Sequence, residues 1–231
     1  MDHFEKIYAS KAQEYHQLII PEDVEGNFLP ALRGIAPFEK AVLLDLGSGT
    51  GRIPLLVKDI VNKVIALDLN FPMLVEQEKQ QQLANISWPL IQGDNRTLPL
   101  KNNWASVVTA GWALGHLRGW YDADWRTQIG RILTEMERAA VPGGWLIIIE
   151  TLTTGALEPA PPTPELAEYY AWLEETWGYT RHAVQTDYQF ASVEDAVAKT
   201  EFFFGPDLVK LIRQNNWARL PEWTGVWYKQ I

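Results

Sequence analysis

The chain has 231 residues, 47% of them hydrophobic, enough for one large α/β domain with a full core. Its net charge is −9 with no basic cluster, which argues against a nucleic-acid partner. The absence of cysteine removes disulfides, thiol catalysis and cysteine-ligated metals.

Met1–Ser10 is charged and mixed rather than signal-like. No apolar run approaches the roughly 20 residues of a membrane span, so a cytoplasmic protein with no membrane partner is expected. The eleven tryptophans either pack helices or wall a pocket or lid. Residues 1–20 read as one helix with Phe4, Ile7, Tyr8, Tyr15 and Leu18 as its apolar set, ended by Pro21-Glu22-Asp23. A short helix over Asn27–Gly34 follows, and Pro37 starts the connection to the first strand.

Val42–Arg52, V-L-L-D-L-G-S-G-T-G-R, organises the rest of the chain. An apolar run ends at Asp45, and a glycine-rich turn follows. Ile53, Leu56, Val57 and Ile60 then fall at i, i+3, i+4 and i+7 of a helix. The continuous apolar run means a strand buried on both faces in a parallel sheet. Gly47, Gly49 and Gly51 permit positive φ and close approach of a ligand to the backbone. The first helix amides favour polar or anionic ligand groups.

The dinucleotide fingerprint G-x-G-x-x-G does not fit, because the third glycine arrives one position early and an acid precedes the first by two. That acid would repel a pyrophosphate and suits an ammonium or a hydroxyl. The stretch resembles motif I of the class I S-adenosylmethionine-dependent methyltransferases, in which this turn wraps the methionine part of the cofactor.

The second strand, Lys63–Asp68, ends in an acid at the place where a ribose diol binds in nucleotide-type folds. Asn70 is expected to cap the next helix, with Pro72 in its first turn. Leu69 and Met73 are placed to pack on an adenine face. The third strand, Ile86–Gln92, contains Pro89 and so belongs at a sheet edge. Gly93-Asp94-Asn95 is similar to the family's G-D motif, which implies that Asp94 accepts from the adenine amino group. The fourth strand, Trp104–Ala110, runs into Gly111-Trp112, where the resemblance places the meeting of cofactor and substrate. The Asn-Pro-Pro-Tyr pattern of enzymes that methylate nucleic-acid amino groups or glutamine is missing.

His116 lies just beyond that strand and is the candidate general base, with Tyr121 and Glu150 behind it. Its alternative role is a hydrogen bond to a loop carbonyl or a helix cap. His3, His16 and His182 share no ligand spacing with it, so no metal site is indicated.

A helix from about Tyr121 to Ala140 carries Trp125, Ile129, Ile132, Leu133, Met136 and Ala140 on one face. Val141-Pro142-Gly143-Gly144 stops it, and the fifth strand is Trp145–Glu150. Thr151–Pro164 is a proline-rich loop, Glu165–Trp177 an aromatic helix and Ala183–Phe190 a possible strand. Ser192 caps a helix to about Phe203, and Gly205-Pro206 restarts one through Asn216. Trp217–Leu220 and Thr224–Gln230 read as a closing antiparallel hairpin.

These elements imply one α/β domain over 1–231, with a helical cap over 1–37 and a lid or substrate-pocket insertion over 151–191. The resemblance implies a seven-stranded, mostly parallel Rossmann-like sheet in the order 3-2-1-4-5-7-6, strand 7 antiparallel, with helices on both faces. It also implies a methyltransferase of the small-molecule, ubiquinone-biosynthesis-like type. Its S-adenosyl-L-methionine would touch Tyr15, Asp45, Gly47, Ser48, Gly49, Asp68, Leu69, Met73, Gly93, Asp94, Asn95, Ala110 and Gly111. The expected acceptor is a small, partly apolar or aromatic molecule. The alternatives are a non-catalytic S-adenosylmethionine-binding protein or partner subunit and, less favoured, an NAD-type oxidoreductase.

Overall fold

The computed structural model of the chain describes residues 2–231. The N-terminal segment forms α1 (His3–Ser10), α2 (Ala12–Ile19) and α3 (Phe28–Ile35). The alternating half comprises β1 (Val42–Leu46), α4 (Arg52–Val57), β2 (Lys63–Asp68), α5 (Phe71–Leu83), β3 (Leu90–Gln92), β4 (Ala105–Gly111), α6 (Gly115–Trp120), α7 (Trp125–Ala139) and β5 (Ala140–Thr154). The rest is α8 (Pro164–Glu175), β6 (Thr180–Gln185), β7 (Tyr188–Gln189), α9 (Val193–Phe204), α10 (Pro206–Asn215), β8 (Arg219–Leu220) and β9 (Glu222–Gln230).

Among the described residues the main sheet has seven strands in the order β3-β2-β1-β4-β5-β9-β6. The first five are parallel, and β9 runs antiparallel to both neighbours. With β9 counted as the seventh strand of the main sheet, this is the order and direction expected from the sequence. Alternation along the central strands explains the two layers. Leu44, Leu46, Val108, Leu146 and Ile148 face α7, through Ile129, Ile132, Leu133 and Met136. Leu43, Val107, Ile147 and Ile149 face the other way, onto Phe28, Leu32, Ile53 and Val57.

Three local expectations are corrected. The single helix over 1–20 is two helices, broken at Lys11 (φ −130°, ψ 38°). The break lets Ile7 and Tyr8 bury with Met73, while Leu18 buries with the α9–α10 cluster. Strand β3 begins only after Pro89, which cannot donate to the ladder.

The closing hairpin does not form. β8 pairs instead with β7 in a separate two-stranded sheet, and β9 enters the main sheet between β5 and β6. Buried Val226 and Trp227 explain this, because so apolar a strand needs a neighbour on each side. The outer strand β6 falls within 151–191, so the segment expected as a lid supplies a sheet strand as well as α8.

Gly225 lies between Glu150 on β5 and Ala183 on β6. A Cβ there would clash with the Trp227 ring, which is pinned by Tyr170 at 4.4 Å and by the Glu174 carboxylate. Gly225→Ala should therefore cost about 1–3 kcal/mol by overpacking, read as a lower urea midpoint at an unchanged slope.

Candidate active site

The site lies outside the carboxyl ends of β1, β2 and β4, where an open α/β sheet leaves a crevice. The turn after β1 is left-handed at Gly47 (φ 62°), Gly49 (φ 53°) and Gly51 (φ 90°). A side chain at Gly47 would stand 2.6 Å from Ala113 Cβ, so the turn also depends on close approach.

Asp45, next to last in β1, has 1% of its surface exposed, and its Oδ1 accepts from the Thr109 hydroxyl of β4 at 2.5 Å. Burial pushes its carboxyl up to about 7 against that hydrogen bond, and neighbouring Asp68 adds to the rise. Asp68 ends β2 and accepts from the amides of Gly49 and Asn70, both at 2.8 Å. Burial raises it too. Among the described residues neither carboxyl has an ion-pair partner. The Asn70 side chain does not cap α5; the Asp68 carboxylate takes the Asn70 amide instead.

The cleft is lined by Tyr15, Asp45, Gly47, Ser48, Gly49, Asp68, Leu69, Met73, Asp94, Asn95, Gly111 and His116. Two expected contacts do not reach it. Ala110 is fully buried within β4, and Gly93 packs on Leu67. Leu69 is exposed at the rim, whereas Met73 is buried beneath the turn. Both Asp94 oxygens are engaged by the Arg96 guanidinium, at 2.5–3.0 Å, which holds Asp94 below the usual carboxylate range. Arg96 also donates to the Tyr121 hydroxyl and to Gln128. Next to this pair, the buried Asn95 Oδ1 has no hydrogen-bond partner.

The cleft opens into a second cavity of about 630 Å3. Tyr8, Tyr15, Arg52, Trp112, His116 and Trp120 line both. Trp112 takes a left-handed backbone (φ 49°), and its amide donates to the Ile149 carbonyl at 2.6 Å. The Arg52 guanidinium stacks 3.6 Å above its ring and pairs with Glu22 at 2.5 Å. Arg52, Thr109 and Arg96 join the site without a motif that marks them in the sequence. The one available signal was their position at the ends of the glycine turn, β4 and the G-D turn.

His116 stands where expected, but its Nε2 shares a 2.7 Å hydrogen bond with the Tyr8 hydroxyl, and its ring stacks on Trp120. Burial drives its pKa down to about 4. Tyr8, pushed far up by burial, keeps its proton. The pair ties α1 to α6 across the cavity mouth, reinforced by Asp2 with the Trp120 indole and by His3 with the Phe203 carbonyl.

By NMR titration His116 should stay neutral down to about pH 4; a midpoint near 6.5 would contradict this environment. Tyr8→Phe should cost about 1 kcal/mol and make α1 an early site of limited proteolysis.

Among the described residues no cluster of three or more His, Asp or Glu could hold a metal ion, and no helix is long and apolar enough to cross a membrane.

Residues 44–148 match the family described as a methyltransferase domain. The chain is 30% identical over 148 residues to a malonyl-acyl-carrier protein O-methyltransferase of Xylella fastidiosa, covering 63% of this chain and 47% of that protein. It is 38% identical over 117 residues to a demethylmenaquinone methyltransferase of Lactiplantibacillus plantarum, covering 48% and 45%. The matches thus span about half the length of these curated relatives. The fold superposes on a SAM-dependent methyltransferase from Aquifex aeolicus with a TM-score of 0.55 at 17% identity, over 99% of this chain and 98% of that one. Residues 44–148 thus carry the sequence pattern of a methyltransferase domain, set in the fold of the SAM-dependent methyltransferase from Aquifex aeolicus.

Proposed function

We propose that the chain transfers a methyl group from S-adenosylmethionine to a small, partly apolar acceptor. The observation that carries the reading is the pair of buried carboxyls, Asp45 and Asp68, around a left-handed glycine turn with no protein cation against either.

The residues present fit that cofactor. Asp45 would take the methionine ammonium, and the Gly47–Gly49 backbone would follow the same part. Asp68 would take the ribose diol with the lone pairs its two amide bonds leave free. Leu69 and Met73 would flank the adenine, and the orphaned Asn95 Oδ1 fits its amino group better than Asp94, whose oxygens Arg96 occupies. Gly111 keeps the end of β4 clear of a side chain.

When bound, S-adenosylmethionine supplies an electrophilic methyl on a sulfonium, with a neutral thioether as leaving group. The chain's contribution is alignment in a dry, aromatic enclosure, since orientation alone can supply several kcal/mol of barrier reduction. Tyr8 and His116 close α1 over the mouth, so His116 acts in this reading as a positioning residue rather than as the base. The named relatives act on a carrier-linked malonyl group and on demethylmenaquinone. The aromatic second cavity supports an acceptor with an apolar body.

Calorimetric titration with S-adenosylhomocysteine, S-adenosylmethionine and NAD tests the reading. The two adenosyl-sulfur ligands should bind and NAD should not. Asp68→Ala should weaken both by roughly 10- to 100-fold, the loss of a charge-assisted hydrogen bond. Tight NAD binding, or no effect of Asp68→Ala, would sink it.

A further inference from the structure

Glu150 takes no part in the cofactor half. It lies near the end of β5, 5% exposed, on the wall of the second cavity. Its Oε1 accepts from the Gly115 amide at 2.8 Å and lies 3.5 Å from the Tyr169 hydroxyl. The close fit depends on Gly115, because a Cβ there would stand 3.1 Å from Oε2. Its neighbour across β9 is Gly225, which offers no side chain.

Among the described residues no cation faces this carboxyl. The cavity's two arginines have carboxylate partners, Arg52 with Glu22 and Arg118 with Asp122 and Glu168, while the buried Arg118 Nε makes no hydrogen bond. The titratable groups that interact with Glu150 are Tyr8 from α1 and Tyr169 and Tyr170 from α8, all held neutral by burial. Around them the cavity wall is aromatic, with Phe4, Trp112, Trp120 and Phe203.

We infer, on the basis of the methyltransferase reading above, that the acceptor is an amine on an apolar or aromatic body. Glu150 holds it as the ammonium and takes the proton that the nitrogen must lose before it can accept a methyl group. Three observations converge on this class. A buried carboxyl lacking a counter-charge gains from a cation and, once ionised, repels an acid. Aromatic faces hold cations and do not hold anions. A phenolate or carboxylate would need an arginine's charge, and carboxylates of the chain already balance both arginines.

The proton step balances within the pair. An N–H bond breaks with its electrons left on nitrogen, and an O–H bond forms on Glu150. Burial pushes the Glu150 carboxyl up to about 8. A carboxyl so raised accepts a proton more readily than an exposed glutamate would, which narrows the gap to an alkylammonium.

The test is calorimetric titration of the full chain at pH 7 with phenethylamine, 2-phenylethanol and phenylacetate, in phosphate and in Tris, with and without S-adenosylhomocysteine. Phenethylamine should bind at least about tenfold tighter than the alcohol. Its binding should release close to one proton, because Glu150 is mostly protonated alone and gives its proton up to the pair. In Glu150→Gln the amine and the alcohol should bind alike, with no proton released. The inference is overturned if the amine does not bind, if the alcohol or phenylacetate binds as well, if no proton is released, or if Glu150→Gln keeps the preference. The wild-type comparison and proton count stand without the variant. Failure of S-adenosylhomocysteine to bind would remove the methyltransferase reading, while the amine preference is measured independently in its absence.

Discussion

Two carboxyls buried at the ends of β1 and β2 without a protein cation are the constraint on which the rest depends. Asp45 can stay there because the strand that carries it is covered on both faces and because Thr109 of the next strand supplies one short hydrogen bond. Asp68 can stay because the glycine turn and the start of α5 each turn an amide toward it. The turn is therefore shaped partly by the acid it sits beside.

This arrangement costs stability. A carboxyl moved from 3.8 to about 7 binds its proton more tightly in the folded state, so stability falls as pH rises between those values and then levels off, by roughly 4 kcal/mol in all for Asp45. A ligand that brings an ammonium reverses the penalty. The fold thus holds free energy in reserve for a positively charged partner, which a core built for stability alone would not do.

The second cavity repeats this logic with different parts. Glu150 is raised by burial in the same way, and its neighbours are neutral hydroxyls. Between the two halves stand Trp112, held left-handed, and Arg52, stacked on it and anchored by Glu22. They line both halves, and Glu22 neutralises the charge of Arg52. Above them, α1 is fastened both by Ile7 and Tyr8, packed in a small apolar cluster with Met73, and by a few polar ties.

Much of this was legible in the sequence because it is local. The buried strand, its terminal acid, the early third glycine and the second acid at Asp68 all sit within a few residues of what they do. What escaped was set by distant contacts. No local pattern says that β9 will take β6 rather than β8 as its partner; the need to bury Trp227 does. The break at Lys11 follows from α1 and α2 having different cores to reach. Asp94 looked free until Arg96, two residues on, closed over it. His116 looked like a base on its reference pKa, and only the packing of Tyr8, Phe4 and Trp120 around it makes it a weak one. Gly93 and Ala110 flank residues that do reach the cleft, but the alternation of a strand and the packing on Leu67 turn them away.

The most direct measurement of the central claim is the proton count that accompanies S-adenosylhomocysteine binding, taken by calorimetry in two buffers at pH 6 and pH 8. If Asp45 is a buried acid near 7 that ionises against the ligand's ammonium, binding at pH 6 releases close to one proton and binding at pH 8 releases far less, and Asp45→Asn abolishes the difference. Binding with no proton exchange at either pH, or with the same exchange in Asp45→Asn, would contradict the account.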